Sequence, residues 1–144
     1  MELNNKKILH FEDEAYIAEM YAGLLQKQGI QYQHYLNPPP KSEELIRLII
    51  MEKPDVVIMD VMMPHMDGFK AAEILKTNEQ TKNIPIIGMS NMWQTEEIKK
   101  ALNAGMVDFW GKVFFKPSEI VNLIVDFLEQ GDNYKPRCKK YLYK

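Results

Sequence analysis

Residues 55–69, DVVIMDVMMPHMDGF, place one carboxylate, Asp60, at the end of an apolar run and follow it with turn residues. Burying a charge is costly, so an acid in such a run needs a partner or a task. Glu12, Asp13 and Glu14 follow a second apolar run, ILHF; Ser90 closes IIGMS, and Lys112 follows DFWG. Crowded carboxylates raise one another's pKa unless a cation sits among them. Mg2+ prefers oxygen ligands and keeps some of its water, so Asp13, Asp60 and a backbone carbonyl just past Asp60 could hold it. A carboxylate is also a nucleophile toward phosphorus, and a metal, a lysine and a hydroxyl would then stabilise the phosphoryl oxygens. By themselves, Glu12 to Glu14 read equally well as acids at a solvated helix start. His10 reads as a core histidine, and His34 and His65 are too scattered for a zinc site.

These groups can meet only if the chain brings them to one edge. The apolar segments 8–11, 56–60, 84–89 and 107–110 are near-continuous, as in strands covered on both faces; residues 30–36 are more polar and read as an edge strand. Between them run helical stripes. Ile17, Tyr21, Leu24 and Leu25 form one, with Gly29 as its stop; Leu45, Leu48 and Ile49 form the next. Phe69, Ala72 and Leu75, then Ile98, Ala101 and Leu102, then Ile120 to Leu128 complete the set. Ser42, Thr95 and Ser118 are expected as N-caps. Strand and helix alternate five times, which argues an α/β, doubly wound parallel sheet with helices on both faces. In such a sheet the site lies beyond the carboxyl ends of the strands. Glu12–Glu14, Asp60, Ser90 and Lys112 all fall there.

The 144 residues suit one domain with one sizeable core. No apolar run approaches a membrane span, the first residues do not read as a signal peptide, and a lone cysteine, Cys138, excludes an internal disulfide framework. A cytoplasmic setting is expected. Residues 132–144 carry Lys135, Arg137, Lys139, Lys140 and Lys144 against Asp132, which is +4 in a chain of net charge −2 and leaves −6 on the rest. A boundary is therefore expected at residue 131: a domain over 1–131 and a basic, flexible C-terminal tail over 132–144. Tyr134, Tyr141 and Tyr143 within that tail could touch nucleic acid or an acidic partner, but a solubilising end is the simpler expectation.

Residues 6–130 resemble the receiver domain of two-component response regulators. The likeness is carried by ILHFEDE, VVIMDVMMPHMDGF, IPIIGMS and ALNAGMVDFWGK, in order and at the family's spacing. It implies a flavodoxin-like receiver fold, a five-stranded sheet of strand order 2-1-3-4-5. It also implies a Mg2+-dependent transfer of a phosphoryl group to Asp60 from a histidine kinase or phosphotransfer protein. Residue by residue, Asp60 matches the phosphoacceptor, Asp13 a direct metal ligand, Glu12 an acid acting through water, and Met62 the backbone-carbonyl ligand. Ser90 matches the hydroxyl residue that turns to the phosphoryl group, Phe109 the rotating aromatic, and Lys112 the lysine that pairs with the phosphate. Pro64 and Gly68 shape the loop after the acceptor. The output would be a changed face of the fourth helix, fifth strand and fifth helix, presented to an unknown protein target. Neither a membrane nor a nucleic acid is an expected partner of this domain itself, and a homodimer is left open.

Two departures matter. The family's lysine is normally followed by proline, whereas Val113 follows Lys112 and the nearest Lys-Pro pair is Lys116-Pro117. Ungapped spacing from Ala104-Gly105 favours Lys112 over Lys116. Met62 and Met92, two residues past Asp60 and Ser90, are bulky and apolar, and would hinder a water attacking the phosphoryl group. The chain is thus expected to be a signalling switch and not an enzyme with an external turnover substrate. A degenerate receiver that binds partners without phosphorylation is the alternative. An aspartyl-phosphate phosphatase is disfavoured because Met62 stands where its acid/base aspartate would be. A nucleotide-binding fold is disfavoured by the lack of a glycine-rich loop after the first strand.

Overall fold

The structure, a computed structural model, describes residues 3–63 and 66–142; Pro64, His65, Tyr143 and Lys144 lie outside the described residues. The elements alternate as β1 (Lys7–Phe11), α1 (Ala15–Gln26), β2 (Gln31–Tyr35), α2 (Ser42–Glu52), β3 (Val56–Asp60), α3 (Gly68–Lys76), β4 (Ile86–Ser90), α4 (Thr95–Asn103), β5 (Asp108–Gly111) and α5 (Pro117–Gln130). All five strands pair in parallel in the order β2-β1-β3-β4-β5.

Alternate side chains of each strand feed opposite cores. Leu9, Phe11, Val57, Met59 and Phe109 face α2, α3 and α4, whereas Ile8, Ile58, Ile87, Met89 and Trp110 face α1 and α5. The central strands therefore need apolar residues at every position, which is why the sequence shows runs there instead of alternation. β2 pairs with β1 alone and keeps a polar pattern.

Three local expectations are corrected. β4 begins at Ile86 and not at residue 84, because Pro85 has no N–H for the ladder; its carbonyl still accepts from Val57 N at 2.9 Å. Ser42 and Thr95 are the first helical residues and Ser118 follows the N1 proline, so none of the three is the cap; Lys41, Gln94 and Lys116 hold those positions. The tail is also different. Short 3-10 turns form at Gly131–Asn133 and Cys138–Tyr141, and residues 132–142 fold back on the domain, with Tyr134 and Cys138 buried. The reason is Asp108, whose carboxylate collects hydrogen bonds from this segment.

Glu52 at the end of α2 clamps the sheet edge, accepting from Lys7 Nζ and Tyr35 Oη at 2.7 Å each. The Lys7 and Tyr35 hydrogen bonds hold its carboxyl below the usual range. A carboxyl with a depressed folded pKa stabilises above its unfolded pKa, and that stability is lost as pH falls through the folded value. Glu52→Gln is therefore expected to lose about 1–2 kcal/mol in urea unfolding at pH 7 and little at pH 3. An equal loss at both pH values would contradict the assignment.

Candidate functional site: an acidic pocket at the strand ends

Sheet register assembles the pocket. Phe11 is level with Met59, so Glu12 and Asp60 leave β1 and β3 side by side. Asp60 is level with Met89 and Ser90 with Gly111, which steps Ser90 and then Lys112 up the same edge. Oxygen atoms of Glu12, Asp13 and Asp60 come within 4.8 Å of one another. Glu12 and Asp60 are buried and Asp13 is partly exposed.

Lys112 reaches into this cluster from the turn after β5. Its Nζ lies 2.7 Å from Glu12 Oε1 and 2.6 Å from Asp60 Oδ2. Burial opposes the ammonium charge, but the hydrogen bonds to Asp60 and Glu12 outweigh it and hold the lysine pKa above its ordinary value. Glu12 goes the other way. Burial pushes its carboxyl up to about 7 despite the opposing pull of Lys112. One ammonium does not balance three carboxylates, and a hard divalent cation fits this all-oxygen donor set.

The remaining atoms are held by the backbone. Asp60 Oδ1 accepts from Met62 N at 3.0 Å, and Glu12 Oε2 from Glu14 N at 3.2 Å. Ser90 is fully buried and its Oγ accepts from Met92 N at 2.9 Å. Phe109 is also fully buried, its ring 5.9 Å from that of Phe69. Met62 is 56% exposed and Met92 50% exposed. Gly68 starts α3 against the acceptor strand: a Cβ there would lie 2.9 Å from the Asp60 carbonyl oxygen and 2.6 Å from Val61 Cα, so only glycine fits.

Lys116 is not in the pocket network. It stands at the N-terminus of α5, where its backbone N–H donates to Glu119 Oε1 at 2.8 Å. No peptide bond among the described residues is cis, and Lys112–Phe114 form a 3-10 turn in which Val113 takes the place of the family's proline. The lysine reaches Asp60 all the same. His10 is a core residue, donating or accepting at 2.6 Å with Tyr32 Oη through Nδ1, while its Nε2 has no partner. Burial, then the nearby charges of His34 and Lys112, push its pKa well down.

Residues 8–125 match the response regulator receiver domain. The chain belongs to that family. Among curated relatives of this receiver, the phosphate regulon transcriptional regulatory protein PhoB of Pseudomonas aeruginosa is 31% identical over 134 residues, 91% of this chain and 56% of PhoB. The transcriptional regulatory protein PdtaR of Mycobacterium tuberculosis is 30% identical, over 83% of this chain and 53% of PdtaR. The receiver thus spans about half the length of the curated relatives it matches. The solved signal receiver domain of a DNA-binding response regulator from Colwellia psychrerythraea 34H superposes with a TM-score of 0.74 at 26% identity, covering 88% of this chain and all of that one, 100%. The BeF3-activated DrrB receiver domain superposes at 0.69 with 26% identity, over 87% of this chain and 98% of that one. The flavodoxin-like fold and the strand order expected from the sequence hold. No helix among the described residues is long and apolar enough to cross a membrane.

Sequence reading overlooked Trp93 and Asp108. Trp93 Nε1 donates to the Phe109 carbonyl at 2.9 Å, and Asp108 is a fully buried acid with five donors around it. An acid at the start of a buried strand, in MVDFWGK, was the available signal for Asp108.

Proposed function

We propose that this receiver is a phosphorylatable switch in which Asp60 accepts a phosphoryl group from a histidine kinase or phosphotransfer protein. The observation that carries this reading is Lys112 Nζ bridging Glu12 and Asp60 at 2.7 and 2.6 Å, beside a third carboxylate and the Ser90 hydroxyl. An Asp60 oxygen attacks phosphorus and forms an acyl phosphate. The bond from phosphorus to the donor nitrogen breaks, and the imidazole nitrogen keeps that electron pair and takes up a proton from solvent. Asp13 and Asp60, with the Met62 carbonyl and with Glu12 through water, would hold Mg2+. That ion supplies charge neutralisation and orientation for the phosphoryl oxygens.

Lys112 moves from carboxylate to phosphoryl oxygen, a shift of partner for an ammonium already aimed at Asp60. Ser90 accepts one hydrogen bond and still has its O–H to give to another phosphoryl oxygen. Ser90 and Phe109 would then report the change to the α4, β5 and α5 face. The BeF3-activated form solved for the DrrB receiver is in keeping with a site of this kind.

Intact-mass spectrometry after incubation with acetyl phosphate and Mg2+ tests the reading. One phosphoryl adduct is expected, absent from Asp60→Asn and from the chelated sample. No adduct in the parent protein would favour the alternative, a receiver that binds partners without phosphorylation. Met62→Asn is expected to shorten the adduct's lifetime by about tenfold, or about 1.4 kcal/mol of barrier, by admitting water beside Asp60. An unchanged decay rate would clear Met62 of that role.

A further inference from the structure

β5 is one of the two edge strands of the sheet, and residues 132–142 cross its free side from one core to the other. Tyr134 packs on Phe127 of α5 with ring centroids 4.9 Å apart and gives its hydroxyl to Asp108 Oδ2. Arg137 N donates to the same oxygen at 3.0 Å, and Cys138 N to Oδ1 at 3.1 Å. Cys138 then enters the core on the α4 side, and the next turn touches α4 and β5. Tyr141 meets Trp93 edge-on, centroids 4.7 Å apart. The seam beneath leaves a cavity of about 170 Å³ lined by Trp93, Phe109, Phe114 and Cys138. That is smaller than a small-molecule pocket of about 300–1,000 Å³, so the seam is read as a contact between surfaces.

Trp93 links this contact to the acidic pocket. It sits three residues past Ser90, and the Ser90 hydroxyl holds the intervening turn through Met92 N at 2.9 Å. Trp93 itself is tied to the backbone of Phe109 at 2.9 Å and touches Phe114, 5.5 Å away, just past Lys112. A Ser90 hydroxyl drawn to a phosphoryl group on Asp60 changes its geometry to Met92, and a displaced Lys112 turn shifts Phe114. Both movements reach the ring on which Tyr141 rests.

We propose that residues 132–142 are a strap docked over the β5 edge and α4, and that phosphoryl transfer to Asp60 loosens it through the 91–93 turn and the Trp93–Tyr141 contact. The inference rests on the reading of Asp60 as the acceptor. Because conformational linkage is reciprocal, loosening the strap also favours the conformation that phosphorylation favours, and with it phosphoryl uptake.

Cys138 is the chain's one cysteine and is buried by the docked strap, so its labelling rate reports opening. The full chain is treated with acetyl phosphate, Mg2+ and N-ethylmaleimide, and intact mass reads both modifications on each molecule. Labelling of phosphorylated molecules is expected to be about tenfold faster than that of unphosphorylated ones, within the roughly 5–150-fold of typical allosteric linkage. Tyr141→Ala is expected to raise labelling without phosphate and to increase the phosphorylated fraction at fixed acetyl phosphate. If Asp60 is phosphorylated and Cys138 labels at an equal or lower rate, the strap is a permanent edge cover: the linkage falls and the acceptor reading stands. If Asp60 takes no phosphoryl group, both fall together. Native Cys138 labelling as fast as in urea would overturn the docked strap itself.

Discussion

In a Lys112→Met protein, Asp60 is expected to acquire a phosphoryl group from acetyl phosphate about 10²–10³ times more slowly than in the parent, while Mg2+ binds more tightly. Both effects come from one ammonium. Lys112 is the cation hydrogen-bonded to Asp60 and Glu12, with a side chain only 13% exposed. In the reaction it would meet charge developing on the phosphoryl oxygens, where removing one preorganised donor costs roughly 10²–10³ in rate. In the resting protein the same ammonium sits among the carboxylates a divalent cation would use, and repels it. Methionine keeps the length and loses the charge. Rates by intact mass and Mg2+ titration by tryptophan fluorescence check the two signs separately. A variant that lost metal binding along with phosphorylation would show that Lys112 organises the pocket instead of completing it.

Asp108→Ala is expected to cost about 3 kcal/mol or more, a Tm drop of roughly 6–12 °C for a chain of this size. Asp108 Oδ1 accepts from Phe109 N at 2.8 Å and Cys138 N at 3.1 Å. Oδ2 accepts from Trp110 Nε1 and Arg137 N, each at 3.0 Å, and from the Tyr134 hydroxyl. Alanine would leave these donors without an acceptor at a site that is fully buried in the parent, and each orphaned donor costs about 1–3 kcal/mol unless water replaces it. Three of the five donors belong to residues 134–138, so the loss should free this segment. Cys138 would gain the reactivity of an exposed thiol, where burial now pushes its pKa up to about 12. Chemical denaturation and thiol labelling check the two consequences. Stability within about 0.5 kcal/mol of the parent would mean that water satisfies the donors and that Asp108 does not anchor the segment.

The sequence by itself determined the alternation of strands and helices, the parallel sheet and the edge at which Glu12, Asp13, Asp60, Ser90 and Lys112 gather. These follow from periodicity and from where each apolar run stops, and both are local properties. The receiver family was legible too, because the DVMMPHMDG stretch and the spacing of the other motifs are linear features. Tertiary structure decided what depended on three-dimensional reach. One such matter is which ammonium lies at Asp60, and it is Lys112 that does, across a turn whose sequence departs from the family. The ends of β4 and the helix caps were set by which backbone donors had partners, as at Pro85 and Lys116. The widest departure was residues 132–142, whose basic, aperiodic composition reads as a loose end. Their fold is dictated by Asp108 and Trp93 on β5 and the loop before α4, and no pattern within residues 132–142 records those distant partners.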